Sequence, residues 1–131
     1  MEKITKQFSF RLKEHLCVDT TEKCGEKMTP TMRVIKKCTD FIDVFCHGPD
    51  DEYEIKYATH IVEPSGKNET FAVNFSYIDE EGNTFASYSY FVAYNYKTKV
   101  IDLDYTMQYK KNTNSSVVIE KLSEILEKIT E

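Results

Sequence analysis

The stretch Phe85 to Tyr96, FASYSYFVAYNY, decides how the rest of the chain is organised. Successive side chains of a strand point to opposite faces. Extended, this stretch places Ala86, Tyr88, Tyr90, Val92, Tyr94 and Tyr96 on one face and Phe85, Ser87, Ser89, Phe91, Ala93 and Asn95 on the other. Aromatic and β-branched residues suit a pleated, half-buried surface. The spacing therefore predicts one long β-strand. Its Tyr row has three readings: packed core, the wall of a ligand cavity, or a face that meets a partner, since tyrosine is enriched at interfaces.

The flanking segments alternate in the same way. Tyr53, Ile55, Tyr57, Thr59 and Ile61 share one parity, with Glu54, Lys56 and His60 on the other. Phe71, Val73, Phe75 and Tyr77 alternate with Asn74 and Ser76, and Ile101, Leu103, Tyr105, Met107 and Tyr109 alternate with Asp102, Asp104, Thr106 and Gln108. One apolar and one wetter face is the pattern of an antiparallel sheet. The connections 64–68, 79–83 and 95–98 are short and rich in turn-forming residues, so consecutive strands pair as hairpins. Residues 4 to 12 add a short strand carrying Phe8, Phe10 and Leu12.

Two helices are predicted. In the first, Thr29 suits the N-cap and Pro30 the first helical position. Val34, Ile35, Cys38, Phe41, Ile42 and Phe45 then recur at three- and four-residue spacing, and Gly48-Pro49 ends the run. The second spans 115 to 130, with Val118, Leu122, Ile125 and Ile129 on its stripe, Ile119 and Leu126 beside it, and a polar linker, 110–114, before it. The expected fold is a single α+β domain over 1–131: an antiparallel four- to five-stranded meander packed by a helix, with a C-terminal helix. That order resembles the cystatin-like and NTF2-like architectures. The resemblance is one of architecture. The hairpin where a cystatin carries Gln-x-Val-x-Gly reads Val62-Glu-Pro-Ser-Gly66, and there is no Trp for the second inhibitory loop, so protease inhibition is not inferred.

At 131 residues the chain is long enough for one cored domain and short for two. A net charge of −5 without a dense basic run argues against a nucleic-acid binder, and no apolar stretch is long enough to span a bilayer. MEKITKQFSF has no apolar core of a signal peptide. The chain is then either cytoplasmic or a mature secreted form. The four cysteines, an even number, and the acceptor triplets at Asn68 and Asn114 favour a secreted, disulfide-bonded glycoprotein; a third triplet, at Asn74, falls mid-strand where a glycan is awkward.

Cys38 and Cys46 cannot bridge each other along a helix, because about 12 Å of rise separates them and a disulfide needs Cα atoms within roughly 7 Å. Bridges from Cys17 and Cys24 to Cys38 and Cys46 are the alternative, with free thiols as the plainer one. His15, Cys17, Cys24, Cys46 and His47 are the right types for zinc, but no recognised zinc spacing is present and no metal is assigned. No cofactor motif appears, and none is expected. His60 with Asp102 or Asp104 is the one acid–base pairing the pattern suggests.

The leading functional expectation is a non-enzymatic binding module that engages a protein partner or a small apolar ligand through Tyr88, Tyr90, Tyr94 and Tyr96, as monomer or homodimer, without nucleic acid or membrane. The alternatives are a small isomerase-like pocket enzyme using His60 with an acidic residue, and an intracellular adaptor of viral or parasite type.

Overall fold

The protein is described by a computed structural model over residues 2–18, 20–21, 27–45, 52–109 and 115–131, with the side chains of 2, 20, 21, 27, 41–45, 52, 53, 85 and 115–118 left out. Strand β1 (Glu2–Arg11) leads through a 3-10 turn at Glu14–Leu16 and a small ribbon, β2 (Thr20–Thr21) with β3 (Lys27–Met28), into helix α1 (Pro30–Phe45). The meander follows as β4 (Glu52–Val62), β5 (Asn68–Ile78), β6 (Thr84–Asn95) and β7 (Val100–Tyr109), and helix α2 (Ser115–Ile129) closes the chain. All five long strands form one sheet in the order β1-β7-β6-β5-β4, antiparallel throughout. The fold is α+β, with an antiparallel five-stranded sheet and a C-terminal helix.

The central strand is β6, and its register explains the core. Tyr88, Tyr90 and Val92 stand opposite Phe75, Val73 and Phe71 on one side and opposite Met107, Tyr105 and Leu103 on the other. That face is covered by α1, which lies over β5 and β6 and packs on α2. Val34, Ile35 and Cys38 of α1 and Leu122, Leu126 and Ile129 of α2 are buried against it. Each large apolar side chain withdrawn from water here contributes about 1.5–3 kcal/mol. Phe75 stacks on Tyr88 and Tyr90 with ring centroids 5.5 and 5.9 Å away, a geometry that adds about 0.5–1.5 kcal/mol per aromatic pair.

The end of α2 is tied to the end of β1. The Lys13 amide donates to the Ile129 carbonyl at 2.9 Å and the Glu131 amide to that of Arg11 at 2.8 Å. The hairpin ends use local chemistry. Asp79 Oδ1 accepts from the Glu81 and Asn83 amides at 3.0 and 2.8 Å, and Gly82 takes a φ of 83°, which glycine adopts at low cost.

One expectation fails in β4. The parity set Ile55, Tyr57, Thr59, Ile61 does not share a face. A register shift falls between Ile55, opposite Phe75, and Tyr57, opposite Asn74. The inserted residue, Lys56, is a β-bulge, and it reverses the facing of everything beyond it. Ile55 keeps the helix side; Tyr57, Thr59 and Ile61 turn to the outer side; Ala58, His60 and Val62 turn toward α1. The expected Phe41, Ile42 and Phe45 of the α1 stripe and Val118 of α2 belong to the side chains left out, and Gly48, Pro49 and the 110–114 linker lie outside the described residues.

Candidate functional site

The bulge brings His60 onto the helix face, where it stands opposite Phe71. Two residues back along β5 from Phe71, on the same face, is Glu69. Its side chain has 0% exposure, while that of His60 retains 24%. The His60 Nε2 and Glu69 Oε2 lie 2.9 Å apart. The second carboxylate oxygen, Oε1, accepts the backbone N–H of Thr31 at 2.8 Å. Both oxygens of a buried carboxylate are thus held, one by an imidazole and one by the first turn of α1.

The local sequence explains why that turn is free to bind. The first N–H groups of a helix have no acceptor within it. The Thr29 carbonyl already accepts the Arg33 amide at 3.1 Å, so the helix begins where Thr29-Pro30 predicts. The Thr29 hydroxyl, however, lies 3.4 Å from that of Thr31 and is not the group that holds the Thr31 amide. A strand residue 38 positions away performs that cap. A carboxylate at a helix N-terminus also meets the positive end of the helix dipole, worth about 0.3–1 kcal/mol and up to about 2 in partly buried geometries.

Tyr94 is the cross-strand neighbour of Glu69 on β6. Burial, first, and then its hydrogen bond with the Cys17 side chain push the Tyr94 phenol well above its ordinary value; the Glu69 carboxylate adds in the same direction. Tyr94 therefore stays a neutral phenol next to the pair. Phe71 joins this cluster to a groove. Its ring centroid stands 5.4 Å from that of His60. It also lines an open groove of about 520 Å³ along α1, with Met28, Met32 and Ile35 as further apolar walls and Lys36, Thr39 and Asp40 on the polar side. Pockets of about this volume suit small organic ligands. A smaller cleft of about 250 Å³ on the outer face lies between Tyr57 and Phe91 over Asn74 and Ser89.

The candidates read from the sequence are distributed as follows. Tyr88, Tyr90 and Tyr94 are buried to 0%, 2% and 2% exposure, so the Tyr row meets the helices and not solvent; Tyr96, just past the strand, is half-buried. Asp102 and Asp104 are exposed on the outer face of β7, opposite Ala93 and Phe91, with two strands between them and β4. They cannot partner His60, which faces the other way; Glu69 does.

Cys17 and Cys38 are free thiols. The proposed bridge between loop and helix fails for this pair because each thiol is committed elsewhere. Cys38 is sealed beneath α1, and burial pushes its thiol up to about 12. Cys17 Sγ sits 3.6 and 3.4 Å from the carbonyl oxygens of Leu12 and Lys13. Cys24, Cys46, His47 and Asn114 lie outside the described residues. Among those described, no group of three His, Cys, Asp or Glu side chains could hold a metal ion. Asn68 is half-buried, and its Nδ2, the atom a glycan would occupy, donates to Glu63 Oε2 at 3.1 Å. Among the described residues, no helix is long and apolar enough to cross a membrane.

The residue that sequence reasoning missed is Glu69. It sits in the apolar parity set of β5, ahead of Phe71, Val73, Phe75 and Tyr77. A charged residue in phase with a buried face was the available signal.

Compared with models of protein families, and with curated proteins, the sequence gives no match. Among solved structures, the chain is similar to a hypothetical protein of Thermus thermophilus described as a thioesterase superfamily member, at 15% identity over 98% of this chain and 96% of that one, with a TM-score of 0.32.

Proposed function

We propose that this protein takes a small apolar molecule into the groove beneath α1 and moves a proton on it, as an isomerase-like enzyme in which His60 is the acid–base group. Glu69 is a positioning residue: it holds Nε2 and so leaves Nδ1 for the ligand. The observation that carries this reading is the 2.9 Å contact between a half-buried imidazole and a fully buried carboxylate beside a groove. A base oriented by a second group, beside a groove whose Phe71 wall it packs on, is an arrangement suited to proton transfer.

The plainer account makes Glu69 a helix cap only. A cap does not need it, since Thr29 is at the N-cap and a threonine hydroxyl can hold an amide of the first turn without burying a carboxylate. Withdrawing a carboxylate from water is costly unless it is fully hydrogen-bonded, and capping alone does not require that cost.

The sheet tyrosines enter this reading as the floor beneath the ligand, not as its contact surface. Small ketones with an acidic α-proton, incubated in D₂O and followed by proton NMR, test it. The native protein should accelerate exchange or double-bond migration over buffer, and His60→Gln should lower the rate about 10²–10⁴-fold, the usual contribution of a general base. Apolar dye binding that persists in the variant would show that the groove survives. Equal rates for native protein and His60→Gln across the panel would leave the second reading, a non-enzymatic binder of small apolar ligands, which the methionine- and phenylalanine-lined groove favours.

A further inference from the structure

We propose that β4 pairs with β4 of a second copy of this chain, antiparallel, about a two-fold axis that passes through Thr59. The two edges of the sheet differ. The β1 edge carries Lys3, Lys6 and Arg11, all exposed, and charged residues discourage a neighbour from adding to an edge. The first half of β4 is protected in the same way, by Glu54, Lys56 and the bulge. Beyond the bulge that protection ends. The run Tyr57-Ala-Thr-His-Ile-Val62 has no lysine, arginine, carboxylate, glycine or proline, and its Tyr57, Ile61 and Val62 are 56%, 55% and 48% exposed. β-rich, uncharged and open on an edge, this run is a template for another strand.

The occupant follows from the run's own symmetry. Residues opposed across a junction must share a face, so the axis of a self-paired strand passes through a residue and not between two. Centred on Thr59, Tyr57 of each copy meets Ile61 of the other on the outer face, Thr59 meets Thr59, and Ala58 meets His60 on the helix face. Aromatic with β-branched, and threonine with threonine, are favourable cross-strand pairs. Ala58 is small enough to admit the imidazole opposite it. Both copies keep their helices on the same side, so two sheets become one and the two His60–Glu69 pairs flank the axis. This is an isologous contact, which closes on itself as a dimer. It stands whether or not His60 transfers protons.

Sedimentation equilibrium of the full chain at micromolar concentration tests it. The expected result is twice the 15.3 kDa of one chain. Thr59→Lys sets like charges against each other on the axis and should raise the dissociation constant at least about a hundredfold. Tyr57→Glu with Ile61→Lys should dimerise more tightly than either single variant, because this register alone pairs the new charges. Thr59→Cys should give a covalent dimer on mild oxidation, since directly opposed Cα atoms lie about 4.5–5.5 Å apart, within disulfide reach. Ala58→Cys and the native chain should not. A native protein that sediments at the mass of one chain overturns the proposal, as does a dimer that Thr59→Lys leaves intact or cross-linking no better at 59 than at 58. Circular dichroism of each variant separates lost pairing from lost folding.

Discussion

Replacing Glu69 separates what its carboxylate does for the fold from what it does for His60. In Glu69→Ala the Thr31 amide loses its acceptor in a place water does not reach. A buried donor left unsatisfied costs about 1–3 kcal/mol. The favourable placement at the N-terminus of α1 disappears as well, another about 0.3–1 kcal/mol. His60 loses its partner too, but at 24% exposure water can replace much of that bond. The shortened side chain also gives up buried methylene, at about 0.8 kcal/mol per group. Against these stands relief from burying a carboxylate. The expected net destabilisation is about 2–4 kcal/mol.

Glu69→Gln has the same shape. Its amide oxygen can accept from Thr31, and its NH₂ can donate to an unprotonated His60 Nε2. It should cost about 1 kcal/mol, within the ordinary range for one exchanged hydrogen bond. Yet it reverses the polarity of the bond to His60, so it no longer holds the tautomer that places a free lone pair on Nδ1. Urea unfolding read by circular dichroism measures both variants, with an unchanged slope as the check on two-state behaviour. A cost below about 1 kcal/mol for Glu69→Ala would refute a buried carboxylate bridging helix and imidazole. Equal losses for Ala and Gln would refute the hydrogen-bond account of those losses.

Tyr88→Ala should destabilise by about 3–5 kcal/mol, as truncation of a buried aromatic does, and Tyr88→Phe by far less; thermal or urea unfolding decides, and a negligible effect of Tyr88→Ala would mean the Tyr row is not core. Cys38 should resist iodoacetamide in the folded state at pH 8 while the half-buried Cys17 is alkylated, as peptide mass spectrometry would show. Alkaline pH should weaken the fold. The thiol of Cys38 has a folded value of about 12 against an ordinary 9.0, so from pH 9 upward the unfolded chain binds fewer protons than the native one. Stability is full below that range and falls by up to about 1.4 kcal/mol per pH unit until the folded value is reached; Cys38→Ala should flatten that slope. Tyr94 titrates in the same sense.

The architecture was legible because its signals were local and repeated. Strict alternation from Phe71 to Tyr77 and from Ile101 to Tyr109 gives strands whose buried faces match the observed ones. Thr29-Pro30 marks the start of α1, and the stripe through Val34, Ile35 and Cys38 is the buried side. In β4 alternation misled, because a single inserted residue, Lys56, exchanges the faces of all that follow, and nothing in Glu-Ile-Lys-Tyr announces it. That one slip moved His60 to the wrong side and made Asp102 and Asp104 look like its partners. Glu69 was hidden by a different cause. Its role is set by a helix end far away in sequence; the local pattern shows a charge in phase with a buried face but not the amide it caps.

The most direct measurement of the central claim is the hydrogen exchange of one amide, that of Thr31, by NMR. It lies in the first turn of α1, where no carbonyl of the helix can accept it, so without Glu69 it should exchange much faster than in the native protein. The Thr31 amide should be strongly protected in the native protein, lose that protection in Glu69→Ala and keep it in Glu69→Gln. Rapid exchange of Thr31 in the native protein would contradict it.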